Sequence, residues 1–458
     1  MSIDSQMESH LQTQRQRHLD ELLGLLRIPS ISALSIHKED VAIAAVYLAE
    51  ALTTAGMENV KVFPTEGHPV VYGDYLHAPG KPTVLIYGHY DVQPVDPLNL
   101  WDNGPFEPTI KENKIYARGA SDDKGPTYLH IKALETILQT TGSLPVNVKF
   151  CIEGEEEIGS PHLEPFIATH HDLLQADVLL ISDTTIIGPN QPAICYGLRG
   201  LCSLEVHVQA AKSDLHSGLF GGAVPNALHA MTELLSSLHD HEGKVLVEGF
   251  YDDVAALTAE EREELAKLPQ DDMAYMQSLG LNELVGEPGY TTIERTTARP
   301  TLELNGVYGG FQGEGSKTVI PAEAHAKITC RLVNNQDPLK ILNLIEAHLK
   351  AHEPKGVTVT VTRHDHAKPF IADFHQPAIQ TAVEAYRFAY DVEPHFMRMG
   401  GSIPIVEAFD RLLKLPVVLM GFSLPDENFH APNEHFSLDN FDKGLRALVL
   451  YYTHLERV

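Results

Sequence analysis

Short, uninterrupted apolar segments alternate with helix-like segments over the first 200 residues of this 458-residue chain. The strand-like segments include "PTVLIYGH", "VNVKFCIEG" and "ADVLLISD", and the helix-like segments include "DVAIAAVYLAEALTTAG" and "GPTYLHIKALETILQT". Strands without a polar face are typical of a mainly parallel sheet that helices cover on both faces. This alternation therefore predicts an α/β layered fold.

The pattern changes near residue 200 and returns near residue 375. Between these points the segments follow the order β-α-β-β-α-β of the ferredoxin-like unit, with a polar, acidic segment at about 240–300 inserted into it. A chain of 458 residues is too long for one compact core. We therefore predict one α/β domain formed by residues 1–200 and 375–458, interrupted by a smaller α+β domain at residues 201–374.

The charge balance argues against two classes of partner. The 62 acidic and 34 basic residues give a formal net charge of −28, which repels nucleic acid and anionic membrane surfaces. The sequence also lacks a run of about 18 apolar residues, so we expect no membrane span. Four cysteines without CxxC spacing, three of them in apolar strand-like segments, predict reduced, buried thiols and a cytoplasmic location.

Metal-ligand residue types follow the strand-like segments. They stand after "TVLIYG", after "VKFCIEG", after "VLLIS" and, a few residues later, after "PVVLMGF". The residues concerned are His89, Asp91, Glu155, Glu156, Glu157, Asp183 and His430. Because ligands in open α/β sheets bind beyond the carboxyl ends of the strands, we expect these side chains to lie close together.

A loop bounded by glycines, "ARGASDDKGP", adds Asp122 and Asp123 to these candidates. Two histidines and several carboxylates without thiolates suit zinc or manganese. Carboxylates crowded at strand ends repel one another unless a cation or a proton lies between them. The alternatives are a simple turn around Gly88 and Pro94 and a solvated acidic surface at "GEEEIG".

Nine segments resemble, in the same order, the dinuclear zinc metallopeptidases that include carnosine dipeptidases and aminoacylases. They are "LIYGHYDVQP", "YARGASDDKGP", "EGEEEIGS", "ISD", "YGLRG", "DLHSGLFGG", "KTVIP", "RMGGSIP" and "DENFHAPNE". The closest resemblance is to the cytosolic non-specific dipeptidase branch, and it extends from about residue 80 to the C-terminus. It implies a zinc-exopeptidase-like α/β catalytic domain and an inserted dimerisation (lid) domain. It also implies two Zn²⁺ ions, or Mn²⁺ or Co²⁺ in their place, and a homodimer that acts on small peptides.

The resemblance also implies a role for each ligand-type residue. Asp122 would bridge both metals, and its peptide bond to the non-ligating Asp123 would be cis. One metal would be completed by His89 and Asp183 and the other by Glu157 and His430. Asp91, which lies two residues beyond His89 on an extended chain and so points the same way, would orient that imidazole.

Glu156 would act as the general base of such a site. It would take a proton from a water that bridges the two metals and pass it to the leaving amine. The residues alone leave open the reverse assignment, with Glu156 as the ligand and Glu157 as the base.

Further site residues are implied in and near the inserted domain. His216 would stabilise the oxyanion, reaching across the dimer into the other active site, although a capping or packing histidine is the alternative. Arg331 would bind the C-terminal carboxylate of the substrate, although a surface salt bridge is the alternative. The other implied substrate contacts are Thr318, His366 and the loop residues Gly400, Gly401 and Ser402.

These implications together predict a metal-dependent dipeptidase of broad specificity. An N-acyl-amino-acid deacylase or a carboxypeptidase-like exopeptidase would use the same ligands. A catalytically silent metal or peptide binder is the alternative outside the enzymes, and the presence of Glu156 with every expected ligand argues against it. Met399 stands where some carnosine dipeptidase relatives carry Asp or Glu, which leaves the preference for a particular substrate N-terminus open.

Overall fold

The computed structural model describes residues 3–401 and 403–456. They form two compact units. The first comprises the chain up to Tyr196, Ala372–Met397 and the chain from Ala408, and the second comprises Gly197–Ile371 and Arg398–Glu407. The role of the second unit in dimerisation stays a prediction, because a compact unit within one chain does not reveal whether that unit contacts a second chain.

The N-terminal part of the first unit alternates helices with strands. Its helices are α1 (Ser5–Leu26), α2 (Lys38–Thr54), α3 (Lys124–Thr141), α4 (Leu163–Thr169) and α5 (His171–Leu174). Its strands are β1 (Glu58–Phe63), β2 (Val70–Tyr75), β3 (Thr83–His89), β4 (Thr109–Lys111), β5 (Lys114–Tyr116), β6 (Asn147–Glu153), β7 (Val178–Ile181) and β8 (Ala193–Leu198). The boundary between the two units falls within β8.

The second unit contains the predicted ferredoxin-like order. Its strands are β9 (Gly200–Gln209), β10 (Leu215–His216), β11 (Thr301–Gly309), β12 (Val319–Ile320), β13 (Glu323–Leu332), β14 (Thr358–Ala367) and β15 (Phe370–Ile371). Its helices are α6 (Ser217–Phe220), α7 (Ala227–Ser236), α8 (Ala259–Ala266), α9 (Asp272–Leu279), α10 (Thr292–Thr297) and α11 (Pro338–Ala351). The polar segment at about 240–300 thus contains the three short helices α8, α9 and α10.

The sheet of the second unit is antiparallel, with the strand order β11-β13-β9-β14. Alternate residues of β9 and β13 are buried, as a strand with one covered face requires. The covered face packs against α7 and α11, and its core includes Val206, Ile328, Leu234 and Ile345. The opposite face of this sheet carries the less buried alternate residues of β9 and β13, most of which are polar.

The chain ends with the remaining elements of the α/β fold. They are α12 (Pro377–Tyr390), β16 (His395–Met399), α13 (Pro404–Leu413), β17 (Val417–Leu419), β18 (His435–Ser437) and α14 (Leu438–His454). In the first unit the strand order is β1-β2-β6-β3-β7-β17-β8. The four strands β6, β3, β7 and β17 are parallel, whereas β1, β2 and β8 pair antiparallel at the two sides. The prediction of a mainly parallel sheet is therefore confirmed for its centre.

Helices cover both faces of this sheet, as the apolar strands predicted. Tyr87 of β3 packs edge-on against Phe409 of α13, with 5.4 Å between the ring centroids. The next residue, Gly88, faces the other way, and a Cβ atom there would lie only 2.0 Å from Oγ1 of Thr127 in α3. The absence of a side chain at Gly88 therefore leaves the space that Thr127 of α3 occupies. Among the helices of the described chain, none has the length and apolar character needed to cross a membrane.

Candidate metal centre

Three neighbouring strands of the parallel sheet end at the candidate centre. His89 is the last residue of β3 and lies in register with Glu153, the last residue of β6. Asp183 follows the end of β7 by two residues. Asp122 stands just before α3, and His430 lies in the loop between β17 and β18. The site therefore lies beyond the carboxyl ends of the strands, where the sequence predicted it.

The ligand-type side chains form two groups of three that share Asp122. One group is His89, Asp122 and Asp183, the other is Asp122, Glu157 and His430, and within each group the ligand atoms lie within 4.8 Å of one another. Nε2 of His89 is 3.2 Å from Oδ1 of Asp122, whereas Nε2 of His430 is 2.9 Å from Oδ2 of the same carboxylate. The two oxygens of Asp122 thus face different groups.

The remaining distances complete the two groups. Nε2 of His89 lies 3.9 Å from Oδ2 of Asp183, and Nε2 of His430 lies 3.2 Å from Oε2 of Glu157. With bonds of roughly 2.0–2.2 Å to a metal, neighbouring ligand atoms are about 3–4 Å apart. Imidazole and carboxylate donors at these separations suit Zn²⁺ and similar divalent cations, so the donor set fits a pair of ions.

The shifted pKa values of the side chains in this cluster also indicate a site for cations. Removal from water raises the pKa of Asp183 well above its ordinary value and that of Glu156 to about 7, and the charge of Asp122 adds to both effects. Hydrogen bonds to Asp122 and Glu157 raise the pKa of His430 to about 10. Without a cation the cluster therefore retains protons that a bound metal would displace.

Asp91 orients two parts of the centre at once. Its backbone carbonyl and its Oδ1 lie 3.1 Å and 3.4 Å from Nδ1 of His89. Its two carboxylate oxygens also accept hydrogen bonds from the backbone N–H groups of Glu156 and Glu157, each at 3.1 Å. The sequence suggested the first contact and missed the second, because no local pattern links residue 91 to the amides of residues 156 and 157.

Glu434 is a carboxylate of this centre for which the sequence predicted no role. It is fully buried and accepts hydrogen bonds from the backbone N–H groups of Gly119, Ser121 and Asp122 at 3.0–3.1 Å. Arg118 donates a further hydrogen bond to it at 2.7 Å. Glu434 therefore holds the loop that presents Asp122. The sequence did contain a signal for this residue, because Glu434 is the last residue of the segment "DENFHAPNE", in which only His430 was given a role.

Asp123 stands outside both groups of ligands. The peptide bond between Asp122 and Asp123 is cis, as the resemblance implied. The Oδ2 atom of Asp123 accepts hydrogen bonds from Oγ1 of Thr127 at 2.7 Å and from the backbone N–H of His89 at 3.3 Å. Its carboxylate is thus engaged with the surrounding backbone and α3, which agrees with a non-ligating role.

His216 and Thr318 lie side by side in the second unit. The strands β10 and β12 pair here, and the backbone N–H of Ser217 donates to the carbonyl of Thr318 at 3.1 Å. The exposed imidazole of His216 accepts a hydrogen bond from the backbone N–H of Gly218 at 3.0 Å, which caps the start of α6. The capping contact that the sequence left as an alternative is therefore present, and the oxyanion role stays a prediction.

Arg331 belongs to a different part of the second unit. It lines a cavity of about 750 Å³ together with Arg199, Arg295 and Arg299. Burial lowers the pKa of Arg331, and burial together with the charge of Arg331 lowers the pKa of Arg199 to about 10. Glu287, which is paired with Arg299 at 2.7 Å, and Glu303 also line this cavity, so four guanidinium groups stand against two carboxylates. The remaining excess of positive charge suits an anionic ligand group.

The remaining predicted substrate contacts lie in two segments of the second unit. Arg199 holds the glycine loop, donating from Nε to the carbonyl of Gly400 at 2.9 Å and from its backbone N–H to the carbonyl of Gly401 at 3.2 Å. Ser402 lies outside the described residues. His366 is in β14, in register with Cys202 of β9.

Removal of metal is expected to destabilise the protein more strongly as the pH rises. In the metal-free protein, burial raises the pKa of Glu156 and of Asp123 to about 7. Their contribution to stability is fully present below the unfolded pKa of about 4 and is lost as the pH rises towards about 7. Cations bound by the neighbouring ligands favour the charged form of both carboxylates, and they bind more tightly at higher pH.

We therefore expect the difference in Tm between metal-loaded and chelator-treated protein to widen from about pH 5 to about pH 8. Differential scanning calorimetry at a series of pH values measures this difference. A Tm difference that is constant or that narrows over this range would show that the carboxylates of the centre are not the groups that the metal neutralises.

Comparison with known proteins gives consistent matches over most of the chain. A family model described as peptidase family M20/M25/M40 matches residues 85–454. A Cys-Gly metallodipeptidase of Schizosaccharomyces pombe is 31% identical over a 474-residue alignment that covers 100% of this chain and 99% of the relative. A β-Ala-His dipeptidase of Homo sapiens is 32% identical over 397 residues, with 85% of this chain and 78% of the relative covered. Among solved structures, an M20 family metallo-carboxypeptidase from Sulfolobus solfataricus has a TM-score of 0.84 and 35% identity, covering 95% of this chain and 98% of the other.

Proposed function

Because the chain belongs to peptidase family M20/M25/M40, we propose that it is a metal-dependent dipeptidase. The observation that carries this proposal is the pair of ligand groups that share Asp122, each with the imidazole and carboxylate donors of a divalent metal site. Relatives that cover most of this chain are named as metallodipeptidases for Cys-Gly and as a dipeptidase for β-Ala-His, which supports small unblocked peptides as the substrate class.

Five side chains hold two metals in this proposal. Asp122 would be a ligand of both ions, because its two oxygens face different histidines. His89 and Asp183 complete one site, and Glu157 and His430 complete the other. We take Zn²⁺ as the ion, with Mn²⁺ or Co²⁺ as substitutes that suit the same donors. When bound, such ions polarise the scissile carbonyl and lower the pKa of water.

Glu156 is the proton carrier of the proposed reaction. Asp91 fixes its backbone beside the ligands by accepting a hydrogen bond from the N–H of Glu156 at 3.1 Å. A carboxylate held in this place can take up a proton from water and return it. The carboxylate accepts a proton as the water oxygen forms its bond to the carbonyl carbon. It returns this proton to the amine nitrogen as the C–N bond breaks.

The reverse assignment of the two glutamates has less support. Oε2 of Glu157 faces His430 and also accepts a hydrogen bond from Nε2 of Gln93 at 2.7 Å, in a side chain that is only 4% exposed. Glu156 belongs to neither ligand group among the described residues. A base must give up and regain its proton, so the less engaged carboxylate is the better candidate.

The second unit supplies the proposed contacts to the substrate. Arg331, in the arginine-lined cavity, binds the C-terminal carboxylate of the dipeptide. Thr318, His366 and the loop of Gly401 and Ser402 are further substrate contacts in this proposal, as the resemblance implies. These roles rest on motif positions and on the charge of the cavity.

An amine-release assay tests the proposed function. The substrates are an unblocked dipeptide, its N-acetylated amino-acid counterpart and an N-blocked dipeptide, each with metal-stripped and with Zn²⁺- or Mn²⁺-restored protein. We expect metal-dependent cleavage of the unblocked dipeptide only. Cleavage of the acetylated amino acid would assign a deacylase, and cleavage of the N-blocked dipeptide would assign a carboxypeptidase. Of these two alternatives, the carboxypeptidase is favoured by the 35% identity to the metallo-carboxypeptidase from Sulfolobus solfataricus.

We also propose a homodimer in which His216 acts in the active site of the other chain. The exposed imidazole stands on the paired strands β10 and β12, where it is available to a second molecule. Variants H216A and E156Q should each be inactive. Mixing them after dissociation should restore about a quarter of wild-type activity, since half of the random dimers are mixed and each has one intact site.

Unmixed variants and sedimentation at assay concentration are the controls for this mixing experiment. No recovery in a mixture that sedimentation shows to contain dimers would place the action of His216 within its own chain. A fully active monomer would rule out the dimer as a catalytic requirement.

A cytoplasmic location is the last part of the proposal. All four cysteines belong to the described residues, and they are buried and form no disulfide. Free thiols persist in a reducing compartment, which supports the cytoplasm over an oxidising one. Cell fractionation followed by the dipeptidase assay distinguishes the two locations.

A further inference from the structure

A second cluster of metal-ligand residue types lies on the uncovered face of the sheet in the second unit. It consists of His207, Glu323 and His325, whose ligand atoms all lie within 4.8 Å of one another. His207 of β9 and His325 of β13 are directly opposite in register, and Glu323 stands two residues before His325. All three therefore point away from the face that α7 and α11 cover. Neither the family resemblance nor the proposed dipeptidase mechanism uses these residues.

The separations within this cluster suit a metal ion. Nε2 of His207 lies 3.5 Å from Oε2 of Glu323. Ligand atoms of a tetrahedral site with bonds of roughly 2.0–2.2 Å are about 3.3–3.6 Å apart, so this pair already has the required spacing. Nε2 of His207 is buried, and within the described part of the chain no group forms a hydrogen bond with it. A small rotation of the two rings, stacked at 4.5 Å between centroids, would direct both imidazoles at one point.

Neighbouring side chains contact the ring of His325 and favour one of its tautomers. The ring of Tyr308 stacks on it with 4.7 Å between centroids and an angle of 2°. Nδ1 of His325 lies 3.5 Å from Oε1 of Glu205, and this oxygen accepts a hydrogen bond from the hydroxyl of Tyr308 at 2.6 Å. A carboxylate beside one ring nitrogen favours the tautomer that leaves the other nitrogen free for a metal.

We propose that His207, Glu323 and His325 bind one divalent transition metal ion, with Zn²⁺ as the probe of choice. The ion would join β9 to β13 at the base of the pair β10 and β12. Glu323 follows the end of β12 by three residues, and β10 begins six residues after the end of β9. The backbone N–H of Ala210 donates to the carbonyl of Ala322 at 2.7 Å, which continues the pairing towards this pair of strands. The metal would therefore limit the motion of the segment that carries His216.

The number of bound metal ions tests the proposal directly. Metal-loaded wild-type protein and the variants H207Q and H325Q are dialysed against the same low-micromolar Zn²⁺, and their metal content is measured by mass spectrometry. We expect each variant to bind one ion per chain fewer than the wild type. H364Q is the matched control, because His364 lies near Glu205 but outside the cluster and its replacement should leave the count unchanged. Equal metal content in the wild type, H207Q and H325Q would overturn the proposal.

Hydrogen exchange gives a second test that needs no variant. Zn²⁺ is added to wild-type protein whose dinuclear centre is already loaded. We expect slower amide exchange in residues 205–209 and 323–325 and in the strands β10 and β12. Unchanged exchange in these segments would contradict the site. Both readouts are independent of turnover, so they stay decisive even if the dipeptidase proposal fails.

Discussion

The variant E156Q is expected to lose about 10²–10⁴-fold in kcat while it keeps its metal content. Glutamine preserves the size and polarity of the side chain but cannot take a proton from water. The backbone N–H of residue 156 still donates to Asp91, so the turn that presents residue 157 should remain in place. Steady-state kinetics on an unblocked dipeptide and mass spectrometry of bound metal measure the two quantities on the same preparation.

The neighbouring variant E157Q is the matched control for this experiment. Oε2 of Glu157 lies 3.2 Å from Nε2 of His430, so its neutralisation should weaken the binding of one metal as well as activity. The two variants thus separate the role of base from the role of ligand. If E157Q kept both metals and E156Q lost one, the two roles would have to be exchanged. Unchanged turnover in E156Q would end its assignment as the base.

The variant D122A is expected to lose both metals and, with them, activity at least as completely as E156Q. Asp122 is the only residue that the two ligand groups of the described chain share, and each of its oxygens faces a different histidine. Its removal also leaves the imidazoles of His89 and His430 without their common partner. We expect the affinity for each ion to fall at least about 100-fold, more than the loss typical of a residue that only orients a ligand.

The variant D183N is the comparison for D122A, because Asp183 belongs to one group only. It should lose one ion per chain and retain the other. Metal content by mass spectrometry, measured with circular dichroism as a check of folding, distinguishes the outcomes. Loss of one ion in both variants would show that Asp122 does not bridge the two sites.

Several features followed from local patterns in the sequence. The uninterrupted apolar runs predicted the parallel centre of the sheet, because strands covered on both faces need no polar side. The order of strand-like and helix-like segments between residues 200 and 375 predicted the β-α-β-β-α-β unit that β9, α7, β11, β13, α11 and β14 form. The ligand-type residues at the ends of β3 and β7 could be placed together, since parallel strands end at the same edge. These signals are local in sequence, and a single chain reveals them.

Other features depended on contacts between residues that are far apart in the chain. The bonds from Asp91 to the amides of Glu156 and Glu157, and from Glu434 to the loop of Asp122, arise only when separate strands and loops meet. No spacing in the sequence predicts which backbone N–H a buried carboxylate will accept. The two oxygens of Asp122 face different histidines only because the fold brings His89 and His430 to the same carboxylate.

The cluster of His207, Glu323 and His325 shows most clearly which features the sequence reveals and which depend on the tertiary structure. The sequence gives His207 and His325 as two unremarked residues among 25 histidines. Only the antiparallel register of β9 and β13 puts them directly opposite each other, with Glu323 beside them. The sequence by itself thus determined the class of fold and the residue types of the metal centre, because both are written in local periodicity and strand ends. The tertiary structure decided which side chains share a ligand position and which carboxylates orient them, because strand register and loop closure bring together residues that are 65 to 312 positions apart.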